Sequence, residues 1–230
     1  YAGMILSHAA VELYEKDIIV TSIPAIERLG SAQTLIYDLT RVDDGDRHFP
    51  SAARQACGLY KNSGIIPVFI TNAEKKDVEH SASEYEIIKH ENQIITSEQL
   101  DKLTKDEFNS RFPDIRIYIG ITPEQKAMIV SAWKTHGYIT AVTSSGNDDI
   151  LAQKNADISI ASDIDRKNLR TTPADIVIFG SRIKKIKSAI EESRRIYSNI
   201  QKYFIFIVGS NIAELLTILL ATLLNFNILG

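Results

Sequence analysis

Six short runs rich in β-branched residues alternate with amphipathic stretches through the middle of the chain, and this alternation restricts the fold more than any other feature. The runs are TLIYD (34–38), IIPVFIT (65–71), IRIYIG (115–120), YITAVTS (138–144), ISIA (158–161) and DIVIF (175–179). Between them, 51–62, 74–84, 123–134 and 149–155 carry helical spacing. Strands that alternate with helices predict right-handed βαβ units and a parallel sheet covered on both faces, an α/β fold. Thr122 before Pro123 reads as a helix cap and first turn, and Gly64 and Gly137 as C-terminal stops. Segment 97–108 reads as an additional short helical excursion, and 42–48 as a charged turn.

In an open parallel sheet, ligands sit at the carboxyl ends of the strands. Those ends carry Asp38 with Thr40, Thr71 with Asn72, and the stretch from Thr143 to Asp149, while Lys126 lies on the helix after the third run. Polar groups converge there, and one is a carboxylate able to act as a nucleophile.

The composition is that of a folded protein, 44% hydrophobic and 24% charged, but the apolar residues are unevenly spread. FIFIVGSNIAELLTILLATLL (204–224) is nearly all apolar and long enough to span a bilayer core. The preceding 181–203 is rich in Lys and Arg, which places that end of the span on the cytoplasmic side. The alternative is a buried helix of a soluble domain. The net charge of −3 gives no reason to expect a nucleic-acid partner. The single cysteine, Cys57, reads as core filling in a reducing compartment. The first residues lack a basic region before an apolar run, so no signal peptide is expected.

Four separated segments then resemble the P-type ATPases, in family order. VTSIPAIERLG (20–30) is similar to the approach to the phosphorylated aspartate, and YDLT (37–40) stands where the family has DKTGT. ITPEQKAMIV (121–130) is similar to the segment with the family lysine, and TSSGNDDILAQKNADISIA (143–161) to TGDGxNDxPALxxADxGIA. The tail is similar to the stalk and fifth membrane helix of type II, calcium-pump-like members. The resemblance implies a Rossmann-like sheet of haloacid-dehalogenase type with flanking helices, followed by a long stalk and transmembrane helix. It divides the chain into 1–30 (end of the fourth membrane helix and stalk), 31–180 (phosphorylation domain) and 181–230 (stalk and fifth membrane helix).

By the same resemblance, Asp38 is the nucleophile that takes the γ-phosphate of ATP, and Thr40 replaces the acid–base aspartate of related phosphatases, so that the aspartyl-phosphate persists. Thr71 bonds the phosphoryl group, with Asn72, Thr143 and Gly146 around it. Lys126 neutralises the transferred phosphoryl, and Asp149 closes the last motif. Asp38, Thr40, Asp148 and Asp149 are the expected Mg²⁺ ligands. Asn211 and Glu214, three apart on one helix face, match the type II pattern that holds the transported cation.

The departures have consequences. Leu39 stands in place of a lysine, Ala73 in place of an aspartate, and Ser145 in place of the aspartate that ligates Mg²⁺. Family members insert a nucleotide-binding domain where 41–50 makes a ten-residue bridge. The expectation is a portion of a pump-like membrane protein, a pseudo-pump with weak or no ATP-driven phosphorylation, in contact with lipid and the other transmembrane helices of the same protein. The alternatives are an active ATP-driven, Ca²⁺-like transporter with Mg²⁺ as cofactor, and a haloacid-dehalogenase-type phosphohydrolase.

Overall fold

The computed structural model describes residues 2–40, 49–61, 63–144, 149–162, 173–179 and 182–224. Its helices are α1 (Ala2–Glu15), α2 (Ile23–Gly30), α3 (Phe49–Lys61), α4 (Lys75–Glu84), α5 (Ser97–Asp101), α6 (Lys105–Arg111), α7 (Pro123–Thr135), α8 (Ile150–Asn155) and α9 (Arg182–Leu223). The strands are β1 (Ile18–Val20), β2 (Thr34–Asp38), β3 (Ile66–Thr71), β4 (Ile94–Thr96), β5 (Ile117–Ile119), β6 (Thr140–Ser144), β7 (Ile158–Ser162) and β8 (Ile176–Ile178).

The eight strands form one sheet in the order β1-β8-β7-β6-β2-β3-β5-β4. Every pairing is parallel except β1 with β8, so the sheet is mixed at one edge rather than wholly parallel. All six expected runs are strands. Two further strands were not anticipated, because β1 and β4 are three residues long and too short for a period to register.

Alternation along the strands sorts the core into two layers. Leu35, Tyr37 and Phe69 pack with Ile26, Ala53, Ile186 and Ile190 from α2, α3 and α9. Ile36, Val68 and Val142 pack with Phe108, Ile129, Val130 and Trp133 from α6 and α7. This is the doubly covered, Rossmann-like arrangement that the periodicities predict. Half-buried Cys57 packs against the first layer.

Segment 97–108 is not one excursion but spans α5 and the start of α6, broken where Thr104 caps α6 and its hydroxyl accepts from the Glu107 N–H. Thr122 caps α7 in the same way, with Gln125 reaching back to the Thr122 N–H. Gly64 and Gly137 have φ of 65° and 86°, the left-handed geometry that ends α3 and α7.

The two ends of the described chain join at α9. Its residues Ile183, Ile186, Ala189, Ile190, Ser193, Ile196 and Ile200 are buried at helical spacing. Gly30 of α2 lies so close to α9 that a Cβ there would stand 2.5 Å from the Ser193 carbonyl oxygen. Arg195 bonds Glu12 of α1 at 2.7 Å, Lys185 bonds Asp17 at 3.0 Å, and Arg194 donates to the Ser63 carbonyl beyond α3. Segment 18–30 therefore builds onto the same body as the central strands.

Beyond Ile200 the burial stops. Phe204, Ile205, Phe206, Leu215 and Leu223 are each more than half exposed. At 1.5 Å per residue, the 42 residues of α9 run about 63 Å, and the uncovered apolar part is about 30 Å, the thickness of a hydrocarbon core. The Thr217 and Thr222 hydroxyls donate to the Ala213 and Ile218 carbonyls, which satisfies both without water.

Candidate functional site

β2 is the strand at which the topology reverses: the chain leaves it through α3 to β3 on one side and returns later to β6 on the other. Crevices in open α/β sheets form at such a point. Asp38 is the last residue of β2 and shares the face of Ile36, which points toward the α6–α7 layer.

Lys126 reaches in from the first turn of α7. Its ammonium donates to Asp38 Oδ2 at 2.7 Å, Asp149 Oδ2 at 2.8 Å and the Thr143 carbonyl at 3.2 Å. The other oxygen of Asp38 accepts from the Thr40 N–H at 2.8 Å and the Thr40 hydroxyl at 2.6 Å. Thr143 acts twice, because its hydroxyl also accepts from the Asp38 N–H at 2.8 Å. Lys126 is 3% and Asp38 7% exposed, so the charges sit in a medium where unpaired ions would be costly. Burial pushes the Asp38 carboxyl up, but the Lys126 charge and the bonds from Lys126 and Thr40 outweigh it and hold the group below its ordinary value of 3.8.

The structure thus brings together Asp38, Thr40, Lys126, Asp149 and Thr143. Thr71 ends the adjacent strand, one position past Ile70, the register partner of Asp38, and its hydroxyl accepts from the Ala73 N–H at 3.1 Å. Asn72 lies just past the strand and is exposed. Gly146, Asp148 and Ser145 lie outside the described residues, as does most of the 41–50 bridge. Leu39 turns to the opposite face and is buried in the first core layer. Asn211 and Glu214 lie on the uncovered part of α9, both exposed.

Two supporting residues escape a sequence reading. Gln125, buried beside Lys126, accepts from the Thr122 N–H and the Ser97 hydroxyl and donates to the Ser97 carbonyl and Asp101. It ties α5 to the first turn of α7, and its partners Ser97 and Asp101 lie too far back in the chain for any spacing to signal them. Gln153 of α8 donates to the Ser144 hydroxyl at 2.6 Å, fixing the helix behind Asp149 to the end of β6.

A Mg²⁺ ion takes six hard oxygens, anionic ones preferred. The carboxylates described at the site are Asp38 and Asp149, and Lys126 binds both. Among the described residues, no group of three or more His, Cys, Asp and Glu side chains is placed to hold a metal. The described donors therefore do not make a Mg²⁺ shell by themselves.

No protein-family model matches the chain. It is 31% identical over 171 residues to a calcium-transporting ATPase of Bacillus subtilis, which covers 74% of this chain and 19% of that protein. It is 29% identical over 164 residues to the human calcium-transporting ATPase type 2C member 1, covering 71% of this chain and 18% of that one. The crystal structure of a zinc-transporting PIB-type ATPase shares the fold at a TM-score of 0.64 and 13% identity, over 95% of this chain and 50% of that one. The chain is a fragment of P-type ATPase kind. It spans about a fifth of the length of the curated relatives it matches. P-type ATPases are integral membrane proteins, and the uncovered apolar length of α9 agrees with that setting.

Proposed function

We propose that this chain is the phosphorylation-domain and stalk portion of a pump-derived membrane protein in which ATP-driven phosphorylation of Asp38 is weak or lost. The observation that carries the reading is the closed Asp38–Lys126–Asp149 cluster. Lys126, the one buried lysine among the described residues, is committed to two carboxylates. Leu39, in place of a second cation, is spent on the core. An incoming triphosphate would meet one positive group rather than two, and electrostatic stabilisation is the main aid that phosphoryl transfer receives. In this reading the α/β body lies on the cytoplasmic side, the basic residues of α9 flank the bilayer, and 204–224 contacts lipid and other transmembrane helices.

A second reading is supported by the nucleophile geometry and the names of the relatives: an active, Ca²⁺-like transporter that phosphorylates Asp38 and holds a cation with Asn211 and Glu214. Thr40 bonded to Asp38, where a phosphatase would carry an acid–base aspartate, speaks against a simple phosphohydrolase.

One experiment decides between them. The protein is incubated with labelled ATP and Mg²⁺ and quenched in acid. The expected result is little or no hydroxylamine-labile phosphoprotein. A strong signal abolished by Asp38→Asn would replace the first reading with the second.

A further inference from the structure

A cavity of about 620 Å³ opens on the side of the body between the α5–α6 unit and α7, lined by residues that take no part in the Asp38 cluster. Its inner wall is Leu100, Phe108 and Ala132, all buried, and Met128 stands 41% exposed at the mouth. The volume falls within the roughly 300–1,000 Å³ of small-molecule sites, whose usual form is an apolar interior with a few polar groups at the rim.

The polar groups at that rim are mostly spent. The Thr104 hydroxyl donates to Glu107, that of Thr135 bonds the Ser131 and Ala132 carbonyls, and His136 Nδ1 is held by the Ala132 carbonyl. Two are left over. Lys105 makes no ion pair and Asn109 no side-chain hydrogen bond among the described residues, and both line the cavity. Asp101 and Glu107 are each bonded elsewhere, to Gln125 and Thr104, and neither they nor Asp106, its immediate neighbour on α6, forms an ion pair with Lys105 among the described residues.

We propose that this cavity binds a small amphipathic carboxylate, its apolar body against Leu100, Phe108 and Ala132 and its head on Lys105 and Asn109. The site is coupled to the Asp38 cluster through α7. One wall of the cavity is α7 from Met128 to Thr135 with its cap residue His136, and Lys126 leaves the same helix one half-turn before Met128. Gln125 bonds α5 to that turn through Ser97 and Asp101. A ligand wedged between α6 and α7 thus bears on the helix that positions Lys126. The proposal does not depend on whether Asp38 accepts phosphate.

The test uses the full chain in nanodiscs and a decanoate bearing a photoreactive diazirine, with the labelled peptides mapped by mass spectrometry. Labelling is expected in 100–109 and 128–136, displaced by excess decanoate and not by phosphatidylglycerol in the disc. Met128→Trp, which blocks the mouth from an exposed position, should abolish it. Lys105→Glu should weaken decanoate about two- to fivefold, and each methylene removed from the competitor should weaken it about fourfold. Labelling confined to 204–224, labelling displaced by the anionic lipid, or labelling indifferent to both substitutions would overturn the proposal.

Discussion

The strand ends around Asp38 and the far half of α9 both place polar groups in apolar surroundings, and they do so in opposite ways. At the strand ends each charge is answered from within the body: Lys126 lies between Asp38 and Asp149, and Thr40 and Thr143 take up the remaining bonds. On α9, Asn211 and Glu214 make no hydrogen bond among the described residues and stand amid uncovered Leu, Ile and Phe. Among the described residues, the first region pairs its charged groups internally. The second is an uncovered apolar face long enough to cross a bilayer core. The boundary is Ile200, where the buried stripe of α9 ends within one continuous helix.

The contrast can be broken most strongly at Lys126. Lys126→Met leaves two carboxylates facing each other with no cation, and the body should lose about 3–5 kcal/mol in urea unfolding. A loss under about 1 kcal/mol would mean that the cluster is solvated and not closed. Leu216→Arg probes the other region. Unfolding of the body should change by less than about 0.5 kcal/mol, while insertion should cost about 2.5–3.5 kcal/mol, read as the membrane-integrated fraction after reconstitution. Loss of body stability instead would show that 204–224 packs on the protein.

The junction between the regions is sharpened by Gly30→Ala. Its new Cβ meets the Ser193 carbonyl, and about 1–3 kcal/mol of unfolding free energy should be lost in urea denaturation. Thr122→Ala removes the cap from the helix that presents Lys126 and should cost about 1 kcal/mol by the same measurement.

The smallest effect at neutral pH concerns acid. The Asp38 carboxyl is held below its ordinary 3.8, so the folded state binds the proton less tightly than the unfolded one. Its contribution is fully present above 3.8 and lost as pH falls through the lower folded value. Stability should drop with acid in that window, and Asp38→Asn should flatten the drop.

Much of this was legible from spacing alone. The β-branched runs marked six strands because each is buried on both faces, and a helix-flanked sheet places Asp38, Lys126 and Asp149 at one end whatever their separation in sequence. Gly64 and Gly137 announced their stops because few other residues accept a positive φ. The antiparallel β1, the break at Thr104 and the bonds of Gln125 to Ser97 and Asp101 were not legible, since each depends on a partner remote in the chain or on a segment too short to show a period.

By itself the sequence determined that the chain would fold as an α/β sheet, that its reactive groups would gather at the strand ends, and that one stretch would suit a bilayer. Periodicity and composition are properties of the chain, and they fix which surfaces must be buried. Only the tertiary structure decided that Lys126 would be shared by two carboxylates, that Leu39 would turn into the core, and that Lys105 and Asn109 would be left over beside a cavity. Those outcomes rest on distances of about 3 Å between residues remote in sequence, set by how the layers pack.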